Sequence, residues 1–223
     1  MLTESKGNMY TWVTHTWNTV KGECPHGCTY CYMKRWGKQK PVRFDESELN
    51  TDLGQGNTIF VGSSCDMFAD DIPEEWILRT LAYCKKHTNT YLFQSKNPAR
   101  MSHYLLKDLF PENSIFCTTI ETNRRYPEMG NTPDGTMRAN YTRRISYKKP
   151  TYVTIEPIMD FDIQELVNII ITCQPTQVNI GADSGNNNLH EPSKEKILAL
   201  IGELKKFTTI DQKRNLSRIL DAK

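Results

Sequence analysis

Three cysteines share the short segment Glu23-Cys24-Pro25-His26-Gly27-Cys28-Thr29-Tyr30-Cys31-Tyr32, spaced C-x3-C-x2-C with an aromatic residue before the last. Thiolates this close in sequence can all face one point, which suits a metal centre that keeps a further coordination position free of protein. A structural zinc site asks for four ligands, and with no second C-x2-C pair the fourth would have to be His26 or His15. A disulfide framework suits small secreted domains, whereas this chain has 7 cysteines, an odd count, and no signal-peptide pattern. Unrelated packing cysteines are the remaining alternative. A 4Fe-4S cluster held by three cysteines with one iron open accounts for the spacing without a fourth ligand.

A loop of this kind needs a scaffold, and the rest of the chain spells one out. Short β-rich runs at 10–17, 58–62, 90–94, 114–120, 151–155 and 177–180 alternate with helix-like stretches, which argues for βα units on a parallel sheet. Asp71 with Glu74, and Asp162 with Glu165, have capping-box spacing. Asn97-Pro98 opens another helix, and Ser193 caps a helix over 194–207 with Ile197, Leu200, Ile201 and Leu204 as its apolar stripe. Trp76, Cys84 and Cys173 are expected to pack in the core.

Polar residues collect where the strands end: Ser63, Ser64 and Asp66, then Gln94 and Lys96, Glu121 and Asn123, Glu156, and Asp183 and Ser184. In a βα barrel that end carries the chemistry. Strand alternation places Thr154 on one face with Glu156, and Cys117 and Thr119 on one face with Glu121.

The chain's 223 residues suffice for one domain with a sizeable core and are short for two. Hydrophobic residues make up 38% and charged residues 24%, with mean hydropathy −0.60, as in a globular protein on the polar side. The longest apolar run, near Ile169-Ile170-Ile171, is far too short to span a membrane. Free thiols together with an oxygen-sensitive cluster point to a reducing interior, so a cytoplasmic location is expected.

The cysteine segment resembles the cluster motif of the radical S-adenosylmethionine (SAM) superfamily. Segments 8–32, 59–76, 93–101, 118–123, 154–161 and 177–185 are similar to a phage-associated family of unknown function, itself distantly similar to the spore photoproduct lyases. The resemblance implies an α/β fold, a partial (β/α)6 TIM-like barrel over residues 1–207, with 208–223 as a tail or terminal helix. It also implies reductive cleavage of S-adenosyl-L-methionine at a 4Fe-4S cluster to a 5'-deoxyadenosyl radical, and an electron donor such as flavodoxin or ferredoxin. Cys24, Cys28 and Cys31 would bind three irons, and Tyr30 would pack beside the adenine. The superfamily's Gly-Gly-Glu segment is replaced here by Gly62-Ser63-Ser64-Cys65-Asp66. In its place Ser63, Ser64 and Asp66 are expected to accept hydrogen bonds from the methionyl ammonium. Glu121 and Asn123 would reach the ribose or methionyl group, and the backbone near Glu156 and Gly181 would line the adenine. The lyases return hydrogen to a substrate radical from a cysteine, and Cys65 is the candidate here, against the simpler role of a buried packing thiol.

The substrate is written in charge. Lys34, Arg35, Lys38, Lys40 and Arg43 give 33–43 a charge of +5, and 123–150 also carries +5 in a chain of net +2. Trp36, Tyr126, Tyr141 and Tyr147 lie among these cations. Basic segments with aromatics suit a nucleotide or nucleic acid, and solvated surface is the plain alternative. Two functions from different classes follow: a radical SAM enzyme acting on an anionic substrate, or a noncatalytic iron-sulfur or zinc protein that binds nucleic acid or senses redox state.

Overall fold

Runs rich in Val, Ile, Thr, Phe and Tyr form the strands, and stretches with apolar residues every three to four positions form the helices. The computed structural model describes residues 1–221. In chain order its elements are β1 (Thr3–Glu4), β2 (His15–Trp17), β3 (Val20–Lys21), β4 (Arg43–Phe44), β5 (Thr58–Val61), α1 (Glu74–Cys84), β6 (Thr90–Ser95), α2 (Pro98–Leu106), β7 (Ser114–Thr119), α3 (Gly135–Ser146), β8 (Thr151–Ile155), α4 (Ile163–Cys173), β9 (Gln177–Ile180), α5 (Lys194–Leu204), β10 (Thr209–Gln212) and α6 (Ser217–Leu220).

Eight strands form one sheet in the order β1-β2-β5-β6-β7-β8-β9-β10. Only β1 is antiparallel to its neighbour; from β2 to β10 every pairing is parallel. β3 and β4 make a separate antiparallel ribbon. All six expected strands are present, and the parallel sheet with helices along one face is the α/β architecture expected. Two differences stand out. The first strand shrinks to His15–Trp17, because Tyr10 and Val13 turn into the interior. A seventh parallel strand, β10, pairs with β9 inside the 208–223 segment, whose last two residues lie outside the described ones.

The helix starts also differ in detail. Asp162 stands at the N-cap of α4, but its oxygens serve Arg124 and Asn123 rather than the helix. Pro73 rather than Asp71 precedes α1. Ser193 does cap α5, accepting from Lys196 N at 3.3 Å.

Two apolar clusters fill the space between sheet and helices, one around Ile77, Leu81, Phe93 and Phe116, the other around Val153, Leu166, Ile180 and Leu200. Cys84 and Cys173 are buried there, and Trp76 packs against the first. On the opposite face Tyr10, Val13, Phe60, Leu92 and Cys117 make a smaller cluster. The Tyr10 hydroxyl reaches Gln94 Oε1 at 2.7 Å and Thr154 Oγ1 at 2.6 Å, closing the floor of a cavity at the strands' C-terminal ends.

Candidate metal centre and cofactor cavity

That cavity has a volume of about 730 Å³, and Cys24, Cys28 and Cys31 all line it. The cysteine segment is irregular, so its backbone bonds are made in its own short turns and with the neighbouring segment 126–131. Thr29 N donates to Glu128 O at 2.9 Å, Asn131 N to His26 O at 2.7 Å, and the Cys28 thiol to Met129 O at 3.3 Å. Gly130 makes this approach feasible: its φ is +61°, and a Cβ there would lie 2.2 Å from His26 O. On the other side, His26 Nε2 meets Asp66 Oδ2 at 2.8 Å.

All seven cysteines are free. Burial pushes the Cys28 and Cys31 thiols up, whereas a hydrogen bond with Cys65 brings Cys24 down to about 6 and pushes Cys65 up. Among the described residues no three His, Cys, Asp or Glu side chains converge on a single-ion position. A cluster asks for something else, since each cysteine takes a different iron. Three free thiols lining one cavity fit that demand. The zinc set fits less well, because a single ion needs its ligands gathered at one point and the described His, Cys, Asp and Glu side chains form no such group, while His15 lies on β2 with its Nδ1 2.9 Å from Thr14 Oγ1.

The residues expected to hold SAM separate into two groups. Tyr30, Ser63, Ser64, Asp66 and Glu156 line the cavity. Ser63 Oγ and Ser64 N both donate to Asn18 Oδ1, at 3.2 and 2.9 Å. Ser64 Oγ is buried with no partner among the described residues, so this wall offers an unmet hydrogen-bonding group. Asp66 does not: His26 Nε2, Ser95 Oγ and Lys96 N donate to Oδ2, and Phe68 N to Oδ1. With its oxygens so engaged it ties the cysteine segment to the ends of β5 and β6, and burial is outweighed by these bonds, which hold it below the usual carboxylate range.

Glu121, Asn123 and Gly181 are placed elsewhere. Glu121 is fully buried behind the wall, paired with Lys96 and Arg138 and accepting from Tyr30 Oη at 2.5 Å. Strand alternation fails to predict this because β7 ends at Thr119, and the chain turns before residue 121. Asn123 bonds Asp162 and Glu165 on the outer surface. Gly181 donates to Ile155 O and accepts from Ile158 N, so its backbone is spent in the fold. A Cβ there would meet Glu156 Oε1 at 2.8 Å, so glycine lets that carboxylate approach.

Lys96 and Lys213 line the cavity too, Lys96 as one of the polar strand-end residues with no role assigned to it and Lys213 from a segment read only as a tail. Lys96 donates to Tyr30 Oη at 3.1 Å and lies 4.8 Å from its ring centroid, fixing that ring on the cavity wall. Lys213 pairs with Glu156, which also accepts from Asn8 Nδ2 at 2.7 Å and Asn215 Nδ2 at 2.9 Å. The N-terminal and C-terminal segments thus meet at one wall. The signal for Lys96 was its place after a strand; for Lys213 it lay hidden behind β10.

The second basic segment is not on the rim as expected. Arg138 is buried on Glu121, Arg124 is paired with Asp160 and Asp162, and Arg125 donates to Thr132 O at 2.8 Å. Arg143 and Arg144 lie on the outer surface of α3 beside Tyr147 and Tyr141. The first segment is on the rim: Lys34, Arg35 and Lys38 line the cavity.

Among the described residues no helix is long and apolar enough to cross a membrane. No curated protein matches the sequence. Among solved structures, a Cys-to-Ser mutant of spore photoproduct lyase aligns with a TM-score of 0.64 at 12% identity, covering 93% of this chain and 79% of the other. A Cys-to-Ala mutant gives 0.66 at 11%, covering 92% and 78%. A third, a double mutant of the lyase with bound AdoMet and dinucleoside spore photoproduct, gives 0.58 at 13%, covering 90% and 64%. Likeness at these identities establishes a shared fold. In sequence, the family described as "Protein of unknown function (DUF5131)" matches residues 8–188, and the chain belongs to that family.

Proposed function

We propose that the protein is a radical SAM enzyme acting on an anionic, nucleotide-like or nucleic-acid substrate. A 4Fe-4S cluster on Cys24, Cys28 and Cys31, with SAM on its open iron, would supply a 5'-deoxyadenosyl radical for hydrogen abstraction. The observation that carries this reading is that the three free thiols line the same cavity as the unpartnered, buried Ser64 Oγ, at the C-terminal ends of parallel strands. The lyase fold and its bound AdoMet in one relative support it by analogy.

Each wall has a task in this reading. Ser64 accepts from, or donates to, the methionyl group, and Tyr30, held by Lys96 and Glu121, presents its ring to the adenine. The floor formed by Tyr10, Gln94 and Thr154 excludes water from below. Glu156, already satisfied by Lys213, Asn8 and Asn215, keeps the two chain ends in place. Cys65, buried against Cys24, fits packing beside the cluster loop better than delivery of hydrogen to a substrate.

The test is anaerobic reconstitution with iron and sulfide, reduction, and chromatography for 5'-deoxyadenosine. Its formation supports the enzyme. An intact cluster that yields none under several reductants, including flavodoxin or ferredoxin, would instead favour a noncatalytic iron-sulfur protein.

A further inference from the structure

We infer that the turn Tyr32–Trp36, directly after Cys31, is a stacking platform for one strand of nucleic acid at the cavity mouth. This deepens the proposed function and rests on its reading of the cavity as the substrate site. Three observations converge. Trp36 is 60% exposed, unusual for the largest aromatic side chain, and Arg35 Cζ lies 4.1 Å from its ring centroid. Tyr32 meets Trp36 edge-on at 5.9 Å and is anchored by its hydroxyl, which donates to Ser63 O at 2.5 Å. Lys34, Arg35 and Lys38 line the cavity, and among the described residues none of them, nor Lys40 or Arg43, forms an ion pair. The arginines of 123–150 that meet carboxylates show what a spent cation looks like in this fold.

The platform is held firmly. Lys34 N donates to Cys31 O at 2.9 Å, and Glu23 N to Lys40 O at 2.8 Å. At the base of the β3–β4 ribbon, Lys21 pairs with Asp45 at 2.8 Å and with Glu48 at 2.6 Å. Exposed aromatic faces among unpaired cations are the means by which proteins take single strands, bases stacking while phosphates meet Lys and Arg. A duplex hides its base faces, and a free nucleotide would engage only some of the three cations, Lys34, Arg35 and Lys38, that line the cavity.

The experiment is fluorescence anisotropy of labelled oligo-dT and oligo-rU, the two arms separating DNA from RNA, with a blunt duplex, dTMP and polyglutamate as competitors. We expect the strand to bind and Trp36→Ala to weaken it about tenfold. Lys34, Lys38 and Lys40 all changed to Gln should reduce the log-log salt slope by about 2. Circular dichroism checks that each variant is folded. Equal competition by duplex or polyglutamate, or a Trp36→Ala variant that binds like the parent, overturns the inference. 5'-deoxyadenosine formed by a protein that binds no strand sinks this inference alone. A strand bound by a protein that never forms 5'-deoxyadenosine supports the platform and sinks the enzymatic reading.

Discussion

Arg138 Nη1 donates to Glu121 Oε2 at 2.7 Å with both side chains fully shielded from solvent. The pair joins α3 to the end of β7, and Lys96, just after β6, completes it. Burial alone would raise the Glu121 carboxyl, but Lys96 and Arg138 more than offset it and hold it well below the usual range. A depressed folded value means the stabilisation is complete above the unfolded value of about 4.3 and is lost as pH falls through the folded one. Glu121→Gln should cost about 3–5 kcal/mol at neutral pH, because it strands two cations. Urea midpoints between pH 7 and 3 check this: the two proteins should converge as pH falls below about 4, and parallel curves would contradict the assignment.

Gly130 sets the distance between the cysteine segment and the turn that clamps it. Its Cβ would meet backbone at His26 O, Gly27 C (2.9 Å) and Cys28 N (3.0 Å), with no flexible side chain to yield. Gly130→Ala also forces a residue with a side chain into left-handed φ, at about 1–2 kcal/mol before the clash is counted. The expected result is lowered stability together with a shift of Cys28, read as reduced iron bound per chain after reconstitution. Full iron loading with unchanged stability would show that the clamp is dispensable.

How legible this was in the sequence differs by element. β8 and β9 fall at 151–155 and 177–180 as expected, because central strands with Val, Ile and Thr between turn residues carry their own signal. α3 is expected only from the alternation of strands and helices and carries no start signal of its own: its buried face is Arg138, Ala139, Thr142 and Ile145, so a charged residue stands where an apolar stripe is sought. β10, Thr-Ile-Asp-Gln, is too short and polar to announce itself. The cysteine spacing is local and was read directly. Asp66, Glu121 and Asn123 look free for a ligand in the sequence because their protein partners, His26, Arg138 and Glu165, come from distant segments.

Ser64 separates folding from binding. Its Oγ is buried and unpartnered, so Ser64→Ala removes an unmet polar atom and should leave stability unchanged or slightly raised. If that oxygen faces the methionyl group, the same change weakens SAM binding by about tenfold, the worth of a hydrogen bond to a charged group. Equilibrium dialysis with SAM against a thermal melt gives both numbers. A loss of stability with unchanged SAM affinity would place the hydroxyl in the scaffold instead.

The cavity holds four cysteines, and the sequence motif claims only three of them. Cys65 comes from the segment after β5, is 2% exposed, and belongs to the apolar cluster against which Cys24 packs. A cysteine that only packs against a ligand should be replaceable by a residue of similar size. Cys28→Ala should therefore abolish the visible absorbance of the reconstituted protein and most of its bound iron, whereas Cys65→Ser should keep both. Iron and acid-labile sulfide assays on the two variants decide it. Equal losses in both would move Cys65 into the ligand set, and full iron in Cys28→Ala would remove Cys28 from it.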